Sequence, residues 1–521
     1  MLKDWQSLIL KKKDYILCGL FCLLAATGFV LVASTSTSPL YAGYYAYGEN
    51  AGGDSLQFQT IGKAWLDGSV PYRDTFDHKG PMIFLMDALG FALGGGARYG
   101  IVILQILSLA VVLWYAFKFA QLVTPRRIWG GALAVALLIA LSYVYVEGNS
   151  VQEYCLPWLM SSMYYIVRFL IGKSQQHAPK YALLYGATLG WCLFSQATNA
   201  VPIAAGILMV AIVLGQRKEW RNLGRNLLMG LGGMALVAVP LMIYFAIQGA
   251  LGEMFYAMLT FNFQYAGGVG SWLSTTTGAK AIWMLTCYLP CLLLPLTALF
   301  AWRRDQKVYA GALLLTWLIE VYIFLFTQAF VQYAQPMAIQ IVLFLNEIWL
   351  LAAADRTARG AALRRELTST ALVLLAGGAL LLNATYDQIV GYLNTRADMF
   401  WAIRRAGGGE LPIGYEGLME EYVVGEAALS CESFTAYADN QAKSIYLRYD
   451  LPVYSKYFII QDWHAGFADT VAEAIEAEFA ERSPSCLLVQ GEGERTTIAP
   501  LIAEHYKLVE AANGFELYQR R

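Results

Sequence analysis

The stretch Asp54-Ser-Leu-Gln-Phe-Gln-Thr-Ile-Gly-Lys-Ala-Trp-Leu-Asp-Gly-Ser-Val-Pro-Tyr-Arg-Asp-Thr-Phe-Asp-His-Lys-Gly-Pro81 decides how this chain is read. It gathers acids, bases and turn residues inside a chain that is 58% hydrophobic and only 14% charged. Soluble proteins carry about 25% charged residues. The stretch begins about twenty residues after the first long apolar run. Polar chemistry concentrated there points to a site at the boundary between lipid and water.

Working outward, apolar stretches of about 17–25 residues are candidate membrane spans. Eleven fit: 15–34, 99–122, 128–146, 151–171, 181–198, 199–216, 226–247, 281–302, 308–330, 337–354 and 369–388. The run 82–94 is apolar but short, and reads as a re-entrant or interfacial helix in the first outer loop. Basic residues collect at alternate ends of the spans: Lys11–Lys13, Arg126 and Arg127, Lys173 and Lys180, Arg217 to Arg225, Arg303 to Lys307, and Arg356 to Arg365. With eleven spans these all fall on one side, which is the cytoplasmic side by the positive-inside rule. The N-terminus is then cytoplasmic, and the first loop, the 248–280 loop and the C-terminal tail are extracytoplasmic. The first span has no small-residue cleavage site directly after it, so it reads as an anchor.

The fold class expected is thus an α-helical polytopic membrane protein with a small extracytoplasmic α/β C-terminal domain, divided as 1–390 and 391–521. Past about residue 390 acids become frequent and long apolar runs stop. Strands are expected at 433–438, 444–449 and 486–490, and an amphipathic helix at 469–482. A hairpin is expected around Asn513-Gly514. Gly491-Glu-Gly-Glu-Arg495 lacks the third glycine and the acid of a dinucleotide loop. Six of the eight cysteines lie in apolar spans, while Cys431 and Cys486 read either as a disulfide or as two free thiols. The net charge of −1 gives no sign of nucleic-acid binding, and no internal repeat is evident.

Asp54 has two compatible readings. With Gln57 it fits a capping box for a helix ending at Gly68. It is also a candidate general base. Asp74 reads as a turn acid paired with Arg73. Asp77 sits beside His78 and Lys79, where it can position a cation or a hydroxyl. Lys79-Gly80-Pro81 opens the short apolar helix, and a helix start beside a lysine suits an anionic phosphate. Arg73 and Arg98 are the other outer-face cations, with nonspecific lipid headgroups as the plain alternative. A metal needs several ligands, and this stretch offers only Asp54, Asp77 and His78, so no essential metal is expected. Glu153 opens the fourth span after Gly148-Asn149, where the helix dipole alone favours an acid by roughly 0.3–1 kcal/mol. Glu320, near mid-membrane, reads as a structural hydrogen-bonding acid. The aromatics of the 248–280 loop fit an interfacial belt or a glycine-hinged flap.

The order Asp-Ser…Gly…Gly-x-x-Pro-Tyr-x-Asp-x-x-Asp-x-Lys-Gly-Pro resembles the first outer loop of bacterial membrane glycosyltransferases of the glycosyltransferase-C superfamily. Among these, the mannosyl, arabinosyl and lipopolysaccharide-core members are the nearest in character. The resemblance implies inverting transfer from a polyprenyl-phosphate sugar to an envelope glycan or lipid acceptor, with membrane lipids as surroundings. It implies Asp54 as the group that activates the acceptor, Lys79 with the helix start at Pro81 as the stabiliser of the leaving phosphate, and Glu153 as the acid that orients acceptor or sugar; at the second loop Gln152 replaces one family acid, so only Glu153 carries over, and Asp77, from its place beside His78 and Lys79, completes the catalytic candidates. Tyr333 and Gln335 lie at a turn that often faces the donor headgroup in relatives, and Tyr72, Arg73, His78, Lys79, Arg98, Asn149 and Asn199 are the other donor-side candidates read from the residues. The turn Gln196-Ala-Thr-Asn199 lacks the basic residue that relatives often place there. A polytopic transporter or flippase is the alternative, although inverted repeats with matched broken helices are not evident.

Overall fold

The computed structural model describes residues 2–34, 38–40, 53–146, 148–268, 292–326 and 330–354, scattered positions between 360 and 369, and residues 427–438, 442–490, 498–512 and 515–521. Among the described residues the membrane part is helical apart from its loops and turns. Its first eleven helices are α1 (Leu2–Ala33), α2 (Asp54–Leu66), α3 (Pro81–Leu93), α4 (Tyr99–Gln121), α5 (Arg127–Ser142), α6 (Val151–Leu170), α7 (Pro179–Leu193), α8 (Val201–Gln216), α9 (Trp220–Ile247), α10 (Leu251–Phe255) and α11 (Asn262–Gly268). A 3₁₀ turn at Ala197–Ala200 joins α7 to α8, and a π-helical turn at Tyr256–Phe261 lies between α10 and α11. Helices Leu293–Arg303, Lys307–Phe326 and Ile339–Ala354 follow.

Among the described residues, five segments are long and apolar enough to cross a membrane: Tyr15–Ala33, Tyr99–Gln121, Ala197–Gln216, Trp220–Ile247 and Val331–Ala353. The chain is therefore a multi-pass membrane protein. The helices α3, α5 and Leu293–Arg303 are apolar but shorter. Of the expected spans, 369–388 lies outside the described residues apart from Ser369, and 281–302 is described only from residue 292. The short α3 packs on α2 and on the start of α4 instead of running through the bundle.

Two apolar cores organise the molecule. One lies within the bundle, among residues such as Leu113, Phe119, Leu133, Leu159, Ile203 and Val342. The other joins the first outer loop (Phe58, Ile61, Tyr72, Phe76, Phe84) to the end of α9 (Phe245), to Phe261, and to the C-terminal part (Phe434, Tyr446, Phe458, Ile475, Leu487). The C-terminal part thus shares its core with α2 and the loop after it, although composition separates the two at about residue 390.

The C-terminal part holds a four-stranded sheet in the order β1-β2-β4-β3, with β1 Phe434–Tyr437, β2 Cys486–Gln490, β3 Tyr506–Ala512 and β4 Phe515–Arg520. β1 and β2 are parallel, and the chain between them includes the helix Asp469–Glu481, because a parallel pair needs a crossover. β3 and β4 form the expected antiparallel hairpin. Cys431 and Cys486 form a disulfide with Cα atoms 5.8 Å apart. The strand expected at 444–449 is instead a helical turn, Ile445–Arg448. The free edge of β1 explains why. Ala436 N–H donates to the Tyr446 hydroxyl, and the Gln461 amide donates to the Ala436 carbonyl. Side chains thus satisfy the edge that a further strand would have taken.

Candidate active site

Asp54 is the first residue of α2, and Gly53, in extended conformation, takes the N-cap position with no side-chain cap. The expected capping box does not form. Among the described residues the Asp54 carboxylate makes no local backbone bond. The helix stops at Asp67 before Gly68, whose φ of +106° turns the chain.

The loop that follows is held by its own polar groups. Asp74 accepts from the Val70 N–H (2.7 Å), and Arg73 forks onto Asp74 (2.8 and 2.9 Å) while donating to the Gln248 carbonyl. Tyr72 is 1% exposed, packs against Phe84 and Phe245, and donates to the Lys79 carbonyl (2.8 Å). Tyr72 and Arg73 accordingly brace the loop, and neither lines the cleft described below. Asp77 Oδ1 accepts the Lys79 N–H (2.7 Å), which sets the turn presenting Lys79. Gly80 then runs against the chain after α7. Its N–H donates to the Ser195 carbonyl, the Met82 N–H donates to the Phe194 carbonyl, and a Cβ at Gly80 would meet the Phe194 oxygen at 2.1 Å. The start of α3 therefore spends these N–H groups on protein carbonyls. At the expected anion site the Gly80 and Met82 N–H groups are thus occupied, and the Lys79 charge lies beside them.

Lys79 and Asp54 line a common small cleft. Phe58, Tyr145, Val146, Asn149, Ser150, Val151, Gln152, Gln332 and Tyr333 also line it. Lys443, from the C-terminal part, reaches Asp54 from behind: its Nζ is 3.6 Å from Asp54 Oδ1, and the lysine is 2% exposed. The Asp54 side chain is 44% exposed.

Partial desolvation works against the Asp54 charge, but the ammonium groups of Lys443 and Lys79 outweigh it and hold the carboxyl below its usual range. Burial also opposes the charge on Lys79. The surrounding oxygens of Tyr333, Asp54, Asp77 and Tyr265 overcome that penalty and keep it firmly protonated. Asp77 is pushed up by its burial. Burial, with Lys79, His464 and Lys443 nearby, pushes His78 well below the usual histidine value. His78 is thus a neutral imidazole whose Nε2 accepts from the Lys79 ammonium at 2.7 Å.

Glu153 lies behind the cleft wall. Its carboxylate accepts from Gln105, the Tyr145 hydroxyl (2.9 Å) and the Asn149 N–H (2.7 Å), and its own N–H is capped by Ser150. These bonds hold the Tyr145 to Ser150 wall in shape. Asn149 lines the cleft with φ of +50°, donates to Asp87 and accepts from Tyr154. Gln335 is fully buried and ties Ser150 and the Val144 carbonyl to the Val331–Ala338 turn, which presents Tyr333. Asn199 sits in the 3₁₀ turn against Cys155. Arg98 lies at the start of α4, away from the cleft lining. Glu320 accepts from Gln340, as expected of a structural acid. In the 248–280 loop, Phe261 is buried, and Tyr265 packs on His78, Trp463 and Phe467. The part of the expected flap from 269 onward, Trp272 included, lies outside the described residues. Among the described residues no group of three or more His, Cys, Asp or Glu is placed to hold a metal.

Sequence reasoning missed Lys443, Asp87 and His464. Lys443 lies far from the first loop in sequence and belongs to no motif. Asp87 is a lone acid in the apolar run of α3, and that rarity was the available signal.

A family model for the competence-induced protein Ccs4 N-terminal domain matches residues 23–391. No curated protein sequence matches the chain. Among solved structures, ArnT from Cupriavidus metallidurans bound to undecaprenyl phosphate superposes with a TM-score of 0.54 at 13% identity, over 97% of this chain and 98% of that one. The apo state of the same protein gives 0.51 at 13% identity, covering 98% of both. An Archaeoglobus fulgidus oligosaccharyltransferase aligns over 90% of this chain and 68% of its own at 12% identity, with a TM-score of 0.39. The likeness to ArnT shows a shared fold over 97% of this chain.

Proposed function

Starting from a chain that belongs to the competence-induced protein Ccs4 N-terminal domain family and carries the ArnT-like fold, we propose that it is a membrane glycosyltransferase. It transfers a sugar, with inversion, from a polyprenyl-phosphate donor to an envelope glycan or lipid acceptor on the extracytoplasmic face of the cell membrane. The observation that carries this reading is the pairing, across one cleft, of an ionised Asp54 with a charged Lys79. The ArnT structure bound to undecaprenyl phosphate supports a lipid-phosphate donor.

In this reading an acceptor hydroxyl attacks the anomeric carbon while Asp54 takes its proton. The bond from that carbon to the phosphate oxygen breaks, and the electron pair leaves with the polyprenyl phosphate. Lys79 stabilises the departing phosphate, with Tyr333 beside it in the cleft lining. Neutral His78 accepts one ammonium hydrogen and aims the rest of the Lys79 head. Glu153 acts indirectly, by fixing the Tyr145 to Ser150 wall. No metal is invoked. The outward orientation rests on the basic-residue pattern, and the Cys431–Cys486 disulfide supports it, because such bonds persist in oxidising compartments.

The test uses purified protein in lipid vesicles with a labelled polyprenyl-phosphate sugar and an envelope lipid extract. Label in the acceptor with stoichiometric release of polyprenyl phosphate is expected. Movement of intact donor across the bilayer with no transfer would refute the enzyme reading and favour a flippase.

A further inference from the structure

We propose that Lys443 is a positioning residue of the active site, through which the C-terminal part holds the Asp54 carboxylate in place and ionised. The consequence for catalysis rests on the glycosyltransferase reading; the geometric assignment does not.

Lys443 is 2% exposed, and a lysine so enclosed persists when it is paired. Among the described residues its ion pair is to Asp54. Its backbone is well anchored. Ala442, Ile445 and Tyr446 beside it are buried in the shared core, and the Tyr446 hydroxyl is fixed between the Ala436 N–H and the Phe458 carbonyl. A second ion pair joins the same two segments: Lys63, in the last turn of α2, meets Asp450 at 2.7 Å. The 443–450 segment therefore clasps α2 at both ends, and Lys443 is the clasp at the chemical end.

Among the described residues, the charged and titratable groups facing Asp54 are Lys443, Lys79, Asp77, Tyr265 and Tyr333. Of the two cations, Lys79 already serves His78 and faces the cleft. When a donor phosphate arrives, the Lys79 charge is shared with it. Lys443 lies behind Asp54 and outside the cleft lining, so it stays the counter-ion of Asp54 throughout turnover. Without it, Asp54 would be left to a lysine already occupied by the leaving group, and would hold its proton to higher pH.

The experiment compares wild type, Lys443→Met and Lys443→Arg in the full chain. The primary readout is the pH dependence of carbodiimide modification at Asp54, followed by peptide mass spectrometry and normalised to the exposed Asp450. An opposite charge within 4–6 Å moves a carboxyl by about one to three pH units, so Lys443→Met should raise the midpoint by that amount and Lys443→Arg should restore it. The acid limb of the transfer pH–rate profile should move with it, with kcat lowered and KM for the donor unchanged. An Asp54 midpoint unmoved in Lys443→Met overturns the proposal. If that variant does not accumulate, Lys443→Gln is read in the same way. A wild-type midpoint at or above the ordinary aspartate value overturns the proposal without any variant. A midpoint that moves in a protein with no transferase activity would instead refute the glycosyltransferase reading and leave the Lys443 assignment standing.

Discussion

Replacing Asp54 by asparagine separates its chemistry from its structural role. Because Gly53 is the N-cap and Asp54 makes no cap bond among the described residues, the substitution should leave the start of α2 intact. What it removes is the charge opposite Lys443. Two unit charges 3.6 Å apart attract by about 5 kcal/mol at an effective dielectric near 20. The 44% exposure of Asp54 lets solvent screen that attraction, and exposed pairs contribute about 1 kcal/mol or less. Lys443, however, is enclosed, and stranding a buried charge costs about 3–5 kcal/mol. A stability loss of roughly 1–3 kcal/mol lies between these limits. The sign of its pH dependence follows from a carboxyl depressed in the folded state. The wild-type advantage is present above the ordinary aspartate value and disappears as pH falls through the folded one. Asparagine cannot accept a proton, so transfer should fall by roughly 10²–10⁴-fold, about 3–5 kcal/mol of barrier. The assay is single-turnover transfer with labelled donor beside equilibrium binding of polyprenyl phosphate, which Lys79 and Tyr333 should preserve. A folded Asp54→Asn protein that transfers at near wild-type rate would refute the general-base role. It would send the search to Asp77, which lies beside the same lysine.

Lys79→Ala should weaken donor binding by about 10- to 150-fold, the worth of a charge-assisted hydrogen bond, with little effect on melting; unchanged donor affinity would remove Lys79 from the site. Gly80→Ala should cost both stability and donor binding, because a methyl placed 2.1 Å from the Phe194 carbonyl must push the Lys79 turn away from α7, and wild-type melting with wild-type affinity would contradict that packing. A cysteine at Glu504, whose side chain is 75% exposed, should react with an impermeant maleimide in intact cells, and labelling only after permeabilisation would reverse the orientation.

Much of this protein was legible in one dimension because its signals are local. A span announces itself by about twenty apolar residues, and a strand–helix–strand order by its period. The helix at Asp469–Glu481, the strand at Cys486–Gln490 and the hairpin β3–β4 follow from neighbours in sequence. The concentration of polar residues at 54–81 marked Asp54 and Lys79, and the fold brings both to one cleft. Other features depended on distant partners and could not be read that way. Tyr446 and its neighbours alternate like a strand, yet the β1 edge takes the Tyr446 hydroxyl and leaves the backbone free to coil. The N–H groups at the start of α3 look available for an anion until the carbonyls of Phe194 and Ser195 are brought against them. Glu153 has the composition of a catalytic acid, but only packing reveals that its carboxylate is occupied by Gln105, Tyr145 and Asn149. Composition alone divides the chain at about residue 390, whereas burial merges the second part with α2 into one core. That merger carries Lys443 to Asp54, a contact that depends on three-dimensional proximity and leaves no periodic trace in the sequence.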